Sequence, residues 1–295
     1  MLRVHASAAL AAAALAACTT APSTTTTAPV TLRFAGAVNG AEFRCGQSYD
    51  GVGVTRSRIT PSDFRLFVSD VELVARDGST VPLALDQDGV WQYRGVALID
   101  FEDGTGPCSM GTKAVRTTVT GTAPQGDYVG VRFTLGVPFA LNHGDPTVAP
   151  TPLNVTAMFW NWQGGYKFLK FDTGSTGQPA TTAPPDPRGG GSASGFSVHL
   201  GSTLCASPSP KDPPSACQNP NQVKVAFDRF DAAKQVIVAD IGRVLAESNV
   251  DVNAPNTSPG CMSFPKDPDC PPVMRNLGLP YDGAPAGKQV LFSVR

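Results

Sequence analysis

The sequence predicts a mostly β protein built as an antiparallel β-sandwich, with an immunoglobulin-like Greek key as a candidate topology. Three observations indicate this fold class. Short apolar or alternating segments recur along the chain, and turn residues bound each of them. Glycine and proline are abundant, with 30 and 27 among 295 residues, which suits many turns and long loops. Helical periodicity is nearly absent.

The first 17 residues have the pattern of an export signal and are not expected to fold. An Ala/Leu run ends in Leu15-Ala16-Ala17-Cys18, which has the form of a bacterial lipobox, and the run is too short to span a membrane. We predict that residues 1–17 are removed, that Cys18 carries a lipid, and that residues 18–29 are a flexible tether. Because Thr19 and not Asp follows the cysteine, we expect anchoring to the outer membrane, in the periplasm or at the cell surface. Ordinary cleavage, which leaves Cys18 as a spare thiol, is the alternative.

Residues 30–295 are expected to form one β domain. Strands are predicted at residues 30–34, 64–74, 96–101, 128–135, 196–200, 223–227 and 235–240, and two more within 154–172, broken at Gly164-Gly165. Apolar residues three and four apart predict one short helix from Asp240 to Glu247. The low-complexity residues 173–195 are predicted to form a loop between two strands.

Six cysteines remain once Cys18 is set aside, an even number that predicts disulfides in an oxidising compartment. Sequence proximity favours two short bridges, and the remaining pair then forms a long one. The predicted pairs are Cys205 with Cys217, Cys261 with Cys270, and Cys45 with Cys108. On the chain-entropy model each short loop contributes roughly 3 kcal/mol and the long loop roughly 4 kcal/mol.

Composition and motifs argue against several classes of function. The net charge is −1, 16% of residues are charged, and no basic patch suggests nucleic acid. The short catalytic signatures of hydrolases, metalloproteases and nucleotide-binding enzymes do not occur. The acidic segments at 86–89 and 100–104 fit turns better than calcium loops. We therefore predict that the chain is not an enzyme, although a hydrolase with an unrecognised Ser-His-Asp triad stays a rival hypothesis.

Histidine is scarce, and this scarcity directs attention to two positions. Apart from His5 in the signal segment, the chain holds only His143 and His199. If they converge, they form a two-imidazole site in an exported protein, and such a site suits copper. The alternative is that the two histidines are unrelated and hydrogen-bonded to the backbone.

Tryptophan is also scarce, and two of the three lie close together. Trp160 and Trp162 fall two positions apart, on what should be one strand face. A sandwich core would explain that pair equally well. Trp91 precedes a predicted strand and is equally ambiguous.

Four segments carry a family resemblance: LNHGDP at 141–146, MFWNWQGGYKF at 158–168, VHLGS at 198–202 and DFEDGTG at 100–106. Together they resemble the MbnP family, also called metallo-mystery pair four-Cys motif proteins. The resemblance spans essentially all of residues 30–295. The family name counts four cysteines, and this chain has six besides Cys18, so at least one predicted disulfide falls outside that pattern.

The resemblance implies a copper-binding protein that is encoded beside a di-haem peroxidase of the MauG type. In studied relatives that peroxidase oxidises a tryptophan of its partner to kynurenine, and copper binds to histidines and the modified residue. His143 and His199 match the family's histidine positions. Relatives carry the modified tryptophan two positions before a ligand histidine, where this chain has Leu141, so Trp91, Trp160 and Trp162 all stay candidates.

These observations predict a lipid-anchored β-sandwich that binds copper through His143 and His199. An oxidised tryptophan, Met158 or a water would supply a third ligand. The main rival is a surface scaffold or adhesion module of the same fold, in which the histidines have no metal to bind.

Overall fold

The computed structural model describes residues 26–161, 163–177, 195–209 and 212–295. Their strands are β1 (Thr27–Val38), β2 (Ala41–Glu42), β3 (Tyr49–Val52), β4 (Ser57–Ala75), β5 (Thr80–Pro82), β6 (Ala84–Leu85), β7 (Gln92–Tyr93), β8 (Val96–Asp100), β9 (Thr118–Pro124), β10 (Tyr128–Leu135), β11 (Phe159–Asn161), β12 (Gly165–Tyr166), β13 (Leu169–Ser175), β14 (Phe196–Leu200), β15 (Thr203–Ala206), β16 (Ala216–Asn219), β17 (Val223–Phe227), β18 (Ile237–Asp240) and β19 (Phe292–Val294). The helices are α1 (Phe139–Asn142), α2 (Ile241–Val244) and α3 (Cys270–Asn276), with 3-10 turns at Gly106–Cys108 and Thr156–Met158.

The strands form two principal sheets. The larger has the order β14-β13-β4-β10-β17, with β3, β5 and β8 also paired to β4 and β7 paired to β8. The smaller has the order β19-β18-β1-β9-β6, with β2 paired to β1. Pairing is antiparallel in both sheets except between β1 and β18, which run parallel. Two short hairpins, β11-β12 and β15-β16, complete the described strands.

The two sheets pack through aromatic side chains. Phe133 of β10 in the larger sheet meets Phe34 of β1 and Phe292 of β19 in the smaller one, with ring centroids 5.8 and 5.1 Å apart. Both contacts are edge-to-face, an arrangement that the ring quadrupoles favour. Leu32 and Val119 are fully buried on the smaller sheet. The predicted β-sandwich is confirmed.

Most predicted elements coincide with observed ones. The segment at 154–172 contains β11, β12 and the start of β13 rather than two strands. A helix lies within the predicted segment 240–247, but α2 is shorter and spans only Ile241–Val244; its N-cap Asp240 accepts a hydrogen bond from the Gly242 amide. Helix α3 was not predicted, because it is one short segment, cross-linked at Cys270, without a repeated apolar stripe.

The predicted tether boundary is wrong by three residues, because β1 begins at Thr27 and not after Pro29. The Gln125 amide donates to the Thr26 carbonyl, so even-numbered residues of β1 turn their backbone groups toward β9. Pro29, which lacks an N–H, therefore points its nitrogen away from β9 and costs no ladder bond. Residues 1–25, including Cys18, lie outside the described residues.

The low-complexity segment does lie between two paired strands. Thr173 of β13 is in register with Phe196 of β14, so residues 173–175 are strand and not loop. Residues 178–194 lie outside the described residues. Among the described residues, no helix has the length and apolar character that a membrane crossing requires.

All three predicted disulfides are present. Cys45 is joined to Cys108, Cys205 to Cys217 and Cys261 to Cys270, across sequence separations of 63, 12 and 9 residues. The first anchors the 3-10 turn after β8, and the second joins directly opposed residues of β15 and β16. The third ties the segment beside β14 to the start of α3.

Removing the long bridge is expected to destabilise the fold more than removing the hairpin bridge. The pair Cys45→Ala/Cys108→Ala should lower the free energy of unfolding by about 4 kcal/mol, and Cys205→Ala/Cys217→Ala by about 3 kcal/mol, because the longer loop restricts the unfolded chain more. Urea unfolding of both variants beside the wild type measures the difference. A larger loss in the hairpin variant would contradict this order.

Candidate metal centre

Charged side chains form a row across one face of the larger sheet. His199 of β14 is in register with Lys170 of β13, Lys170 with Arg65 of β4, and Arg65 with Asp100 of β8. Side chains alternate between the faces of a strand, so these four lie on the same face. The neighbouring position Phe64 belongs to the hydrophobic core on the opposite face.

Ion pairs connect the members of this row. Arg65 donates to both oxygens of Asp63, and Lys170 bridges Asp63 and Asp172, with its Nζ 2.7 Å from Asp172 Oδ2. Arg65 Nη1 also lies 3.8 Å from Glu102 Oε1. We call this set the buried charge cluster; its members are Asp63, Arg65, Asp100, Glu102, Lys170, Asp172 and His199.

The cluster is buried to a degree that is unusual for charged groups. Asp63, Arg65, Asp100 and Glu102 are each at most 3% exposed. Charged groups tolerate burial only when they are paired or neutralised, because removing them from water is costly. Burial and the Asp63 carboxylate act in opposite directions on Arg65, and the pairing prevails, so its pKa is raised.

Asp100 is the member that burial neutralises. Burial and the nearby Glu102 raise the pKa of Asp100 to about 8. Its oxygens accept hydrogen bonds from the Glu102 amide and the Thr112 hydroxyl, at 3.1 and 3.2 Å. The segment 100–104 is therefore more than the turn that the sequence predicts: Asp103 accepts from Thr105 as turns do, whereas Asp100 and Glu102 belong to the buried charge cluster.

His199 is held by a carboxylate on one side of its ring. Its Nε2 lies 2.7 Å from Asp172 Oδ1, and burial lowers the pKa of the imidazole. Burial alone would raise the pKa of Asp172, but His199 and Lys170 outweigh it and hold that pKa well below its usual range. An ionised carboxylate can only accept, so the neutral ring carries its proton on Nε2. Its other nitrogen, Nδ1, then presents a lone pair.

That lone pair has no hydrogen-bond partner among the described residues. His199 Nδ1 is buried, so bulk solvent does not reach it. A buried acceptor left without a partner is costly and calls for an explanation. Histidines that bind metals commonly have one ring nitrogen bound to a carboxylate and the other left for the metal.

His199, Asp172 and Ser197 are not arranged as a Ser-His-Asp triad. The nearby Ser197 hydroxyl donates to Asp172 Oδ1 at 2.6 Å, on the carboxylate side of the imidazole. In a triad the serine meets the ring nitrogen that lies opposite the carboxylate.

His143 lies in different surroundings, directly after α1. The Asn142 side-chain oxygen accepts from the Tyr166 amide, so its NH₂ group faces His143 Nε2 at 3.1 Å and Ser202 Oγ at 3.3 Å. His143 Nε2 is therefore an acceptor. The two predicted ligand histidines have different partners, but Asn142 and Ser202 bring together the segments that carry them.

A disulfide also borders His143. The sulfur of Cys217 lies 3.5 Å from His143 Nε2, and both sulfurs of the Cys205–Cys217 pair lie within 4.8 Å of a ring nitrogen. Metals bind cysteine as the thiolate. In the oxidised protein these sulfurs are bonded to each other, and they serve to brace the hairpin beside the histidine.

Trp160 packs against the segment that carries His199. A Cβ atom at Gly201, two residues after His199, would lie 2.5 Å from its Cζ3 atom, and one at Gly164 would lie 3.0 Å from its Cε3 atom. The next residue, Gly165, has a φ of +71° and packs so tightly against Asn142 that its own Cβ would lie 2.3 Å from the Asn142 carbonyl oxygen. Glycine at position 201 lets the indole approach the segment of His199, and glycine at position 165 lets the β11-β12 hairpin pack against Asn142, next to His143.

The other predicted site residues lie elsewhere or outside the description. Trp91 is half-buried before β7, and its amide donates to Asp88. Met158 is fully buried in the hydrophobic core. Trp162 lies outside the described residues.

Sequence reasoning missed Asp172, Lys170, Asp63 and Arg65. The available signal was a charged pair at alternate positions of an apolar strand, DFR at 63–65 and KFD at 170–172. Such spacing places both charges on one strand face. It cannot show that the two strands are adjacent, which is what pairs the charges.

Comparisons with known proteins agree with this architecture. The MbnP family model matches residues 27–263. The structure is similar to that of MbnP from Methylosinus trichosporium, with 35% sequence identity and a TM-score of 0.77, over 91% of this chain and 98% of that one. A comparison with curated proteins gave no significant match.

The raised pKa of Asp100 predicts a pH dependence of stability. Because the pKa is about 8 in the folded protein against 3.8 for an ordinary aspartate, the folded state holds a proton that the unfolded state releases. Its stabilising contribution is full below about pH 4 and is lost as the pH rises toward 8. Between about pH 5 and pH 8, the free energy of unfolding of Asp100→Asn should fall less than that of the wild type, by at least about 1 kcal/mol.

Urea unfolding at the two pH values, with the disulfides intact, measures this difference. Asp103→Asn is the matched control, because Asp103 is only partly buried and hydrogen bonds with Thr105 lower its pKa. It should keep the wild-type slope. Equal slopes for Asp100→Asn and the wild type would show that Asp100 is ionised in the fold.

Proposed function

The chain belongs to the MbnP family, and we propose that it is an exported, lipid-anchored copper-binding protein that works as a carrier or scavenger rather than as an enzyme. The observation that carries the proposal is His199, whose Nε2 is held by Asp172 while the buried Nδ1 keeps a lone pair without a partner among the described residues. A neutral imidazole oriented in this way suits copper.

His143 is the second proposed ligand. It would offer Nε2, the ring nitrogen that accepts from Asn142, so that copper replaces this hydrogen bond. Bound copper, held by these two residues, would supply a soft-to-borderline Lewis acid. Because His199 Nδ1 has no solvent contact, a neighbouring side chain must move or change chemically before metal enters.

Trp160 is the proposed third ligand after oxidation. Its indole packs against Gly201, two residues after His199, and the hairpin that carries it packs through Gly165 on Asn142, next to His143, whereas Trp91 contacts the Asp88 turn. Intact indole offers only an N–H donor, but kynurenine carries an aromatic amine that can bind a metal. Two equivalents of hydrogen peroxide deliver two oxygen atoms that cleave the indole C2–C3 double bond to N-formylkynurenine, and two waters are released. Hydrolysis of the N-formyl group then gives kynurenine and formate.

The proposed partner for this oxidation is a di-haem peroxidase of the MauG type. Exposed apolar side chains next to the proposed ligands support such an encounter. Phe139 is 43% exposed and packs against the His143 ring, and Phe264 is 48% exposed and packs against Trp160. Leu204, 53% exposed, lies beside the Cys205–Cys217 disulfide. Exposed apolar groups gathered around one site favour protein contact.

Anchoring completes the proposal. The lipobox at Cys18 would place the lipid a few residues before β1, which starts at Thr27. We propose that this anchor holds the sandwich at the outer membrane, in the periplasm or at the cell surface. The three disulfides are consistent with an oxidising compartment.

Copper binding should depend on both histidines. Purified full chain is titrated with copper(I) and, separately, copper(II) against a chromophoric chelator. His143→Ala and His199→Ala should each weaken binding by more than the roughly 10–100-fold that an outer-shell change costs, because each removes a ligand. Lys234→Ala, at an exposed surface position, is the control. Equal binding by all four proteins would refute the two-histidine site.

The oxidised residue should be Trp160. Intact mass and peptide mapping are recorded for chain produced with and without a di-haem peroxidase of the MauG type. Trp91→Phe should keep the partner-dependent mass change, and Trp160→Phe should lose it. If the change persists in Trp160→Phe, the assignment to Trp160 is wrong and the mapped peptide identifies the modified residue.

A further inference from the structure

Both carboxylate oxygens of Asp172 accept hydrogen bonds, one from an imidazole and a hydroxyl and the other from an ammonium group. Oδ1 accepts from His199 Nε2 at 2.7 Å and from Ser197 Oγ at 2.6 Å. Oδ2 accepts from Lys170 Nζ at 2.7 Å. All four side chains are on one face of β13 and β14, where the strand register aligns Asp172 with Ser197 and Lys170 with His199.

We propose that Asp172 is a positioning residue that fixes His199 in the Nε2–H tautomer, so that Nδ1 is the nitrogen available to a metal. That the metal is copper rests on the proposed function, whereas the tautomer follows from the contact with Asp172 alone. An ionised carboxylate has acceptors only, so the Nε2 that faces it must carry the proton. The same logic governs many metal-bound histidines, whose outer nitrogen is oriented by a carboxylate.

Lys170 determines how the side chain at position 172 is oriented. An ammonium group has donors only, so whatever stands at position 172 must turn an acceptor toward Lys170. Lys170 cannot easily turn away, because it is also paired with Asp63, and Asp63 is held by Arg65. The carboxylate satisfies Lys170 and His199 at once because both of its ends accept.

An amide at this position cannot satisfy both partners in the same way. Asparagine must direct its oxygen to Lys170, and its NH₂ group then faces His199 and Ser197. His199 Nε2 would have to accept, and the ring proton would move to Nδ1. The proposed metal-binding nitrogen would then be protonated and unable to bind.

The test compares Asp172→Asn with Ser197→Ala, in full chain labelled with ¹⁵N at histidine and free of metal. NMR shifts report directly which nitrogen of His199 is protonated. Wild type and Ser197→Ala should show Nε2–H, because the serine hydroxyl can be lost without changing what Nε2 faces. Asp172→Asn should show Nδ1–H and should bind copper about 10–100-fold more weakly.

A double variant separates this role from a general loss of structure. In Asp172→Asn/Lys170→Met, one acid and one base are removed together, so the net charge of the cluster is kept. The asparagine is then free to turn its oxygen toward His199. The Nε2–H tautomer and most of the copper affinity should return, which no purely structural role of Asp172 predicts.

The outcomes distinguish this inference from the proposed function. If Asp172→Asn, or the double variant should the single one not fold, fails to give the tautomer stated above, the positioning role is refuted even where copper binds. If the tautomer changes as stated but wild-type chain binds no copper, the positioning role holds and the copper function fails.

Discussion

The hydrogen bond between Asp172 and His199 is the interaction on which the proposed metal site depends. It fixes which ring nitrogen is protonated and leaves the other as a buried lone pair. The bond persists because Asp172 is ionised, and Asp172 is ionised because Lys170 neutralises it inside the protein. Lys170 in turn requires Asp63, which Arg65 holds. One buried imidazole therefore needs paired charges on the two neighbouring strands β13 and β4, since an unpaired charge in this environment would be too costly.

The long strand β4 makes this chain of partners possible. Its 19 residues contribute Asp63 and Arg65 to the buried charge cluster and apolar side chains to the core on the other face. Pairing with β13 and β8 brings Lys170, Asp172 and Asp100 alongside. The disulfides have a different role, because they hold the loops and hairpins at the rim of the sheets. The Cys205–Cys217 bridge stands directly beside His143.

Much of the site was accessible from the sequence, but only as parts. The scarcity of histidine and a family resemblance identify His143 and His199, and the disulfide pairs follow from spacing in an exported chain. The choice between Trp91 and Trp160 does not follow, because it depends on the close approach that Gly164 and Gly201 allow. The sequence also does not show that Asp100 and Glu102 are buried, because their segment has the pattern of an ordinary turn.

The sequence by itself determined the fold class, most strand positions and the cysteine pairs, because these depend on alternation, turn residues and short separations along the chain. Only the tertiary structure decided which side chains of those strands lie next to each other. Lys170 and Arg65 are 105 positions apart and yet adjacent in the sheet. Register between distant strands decides which charges meet, and burial decides their protonation. The tautomer of His199, and with it the proposed ligand atom, is therefore a property of the assembled sheet.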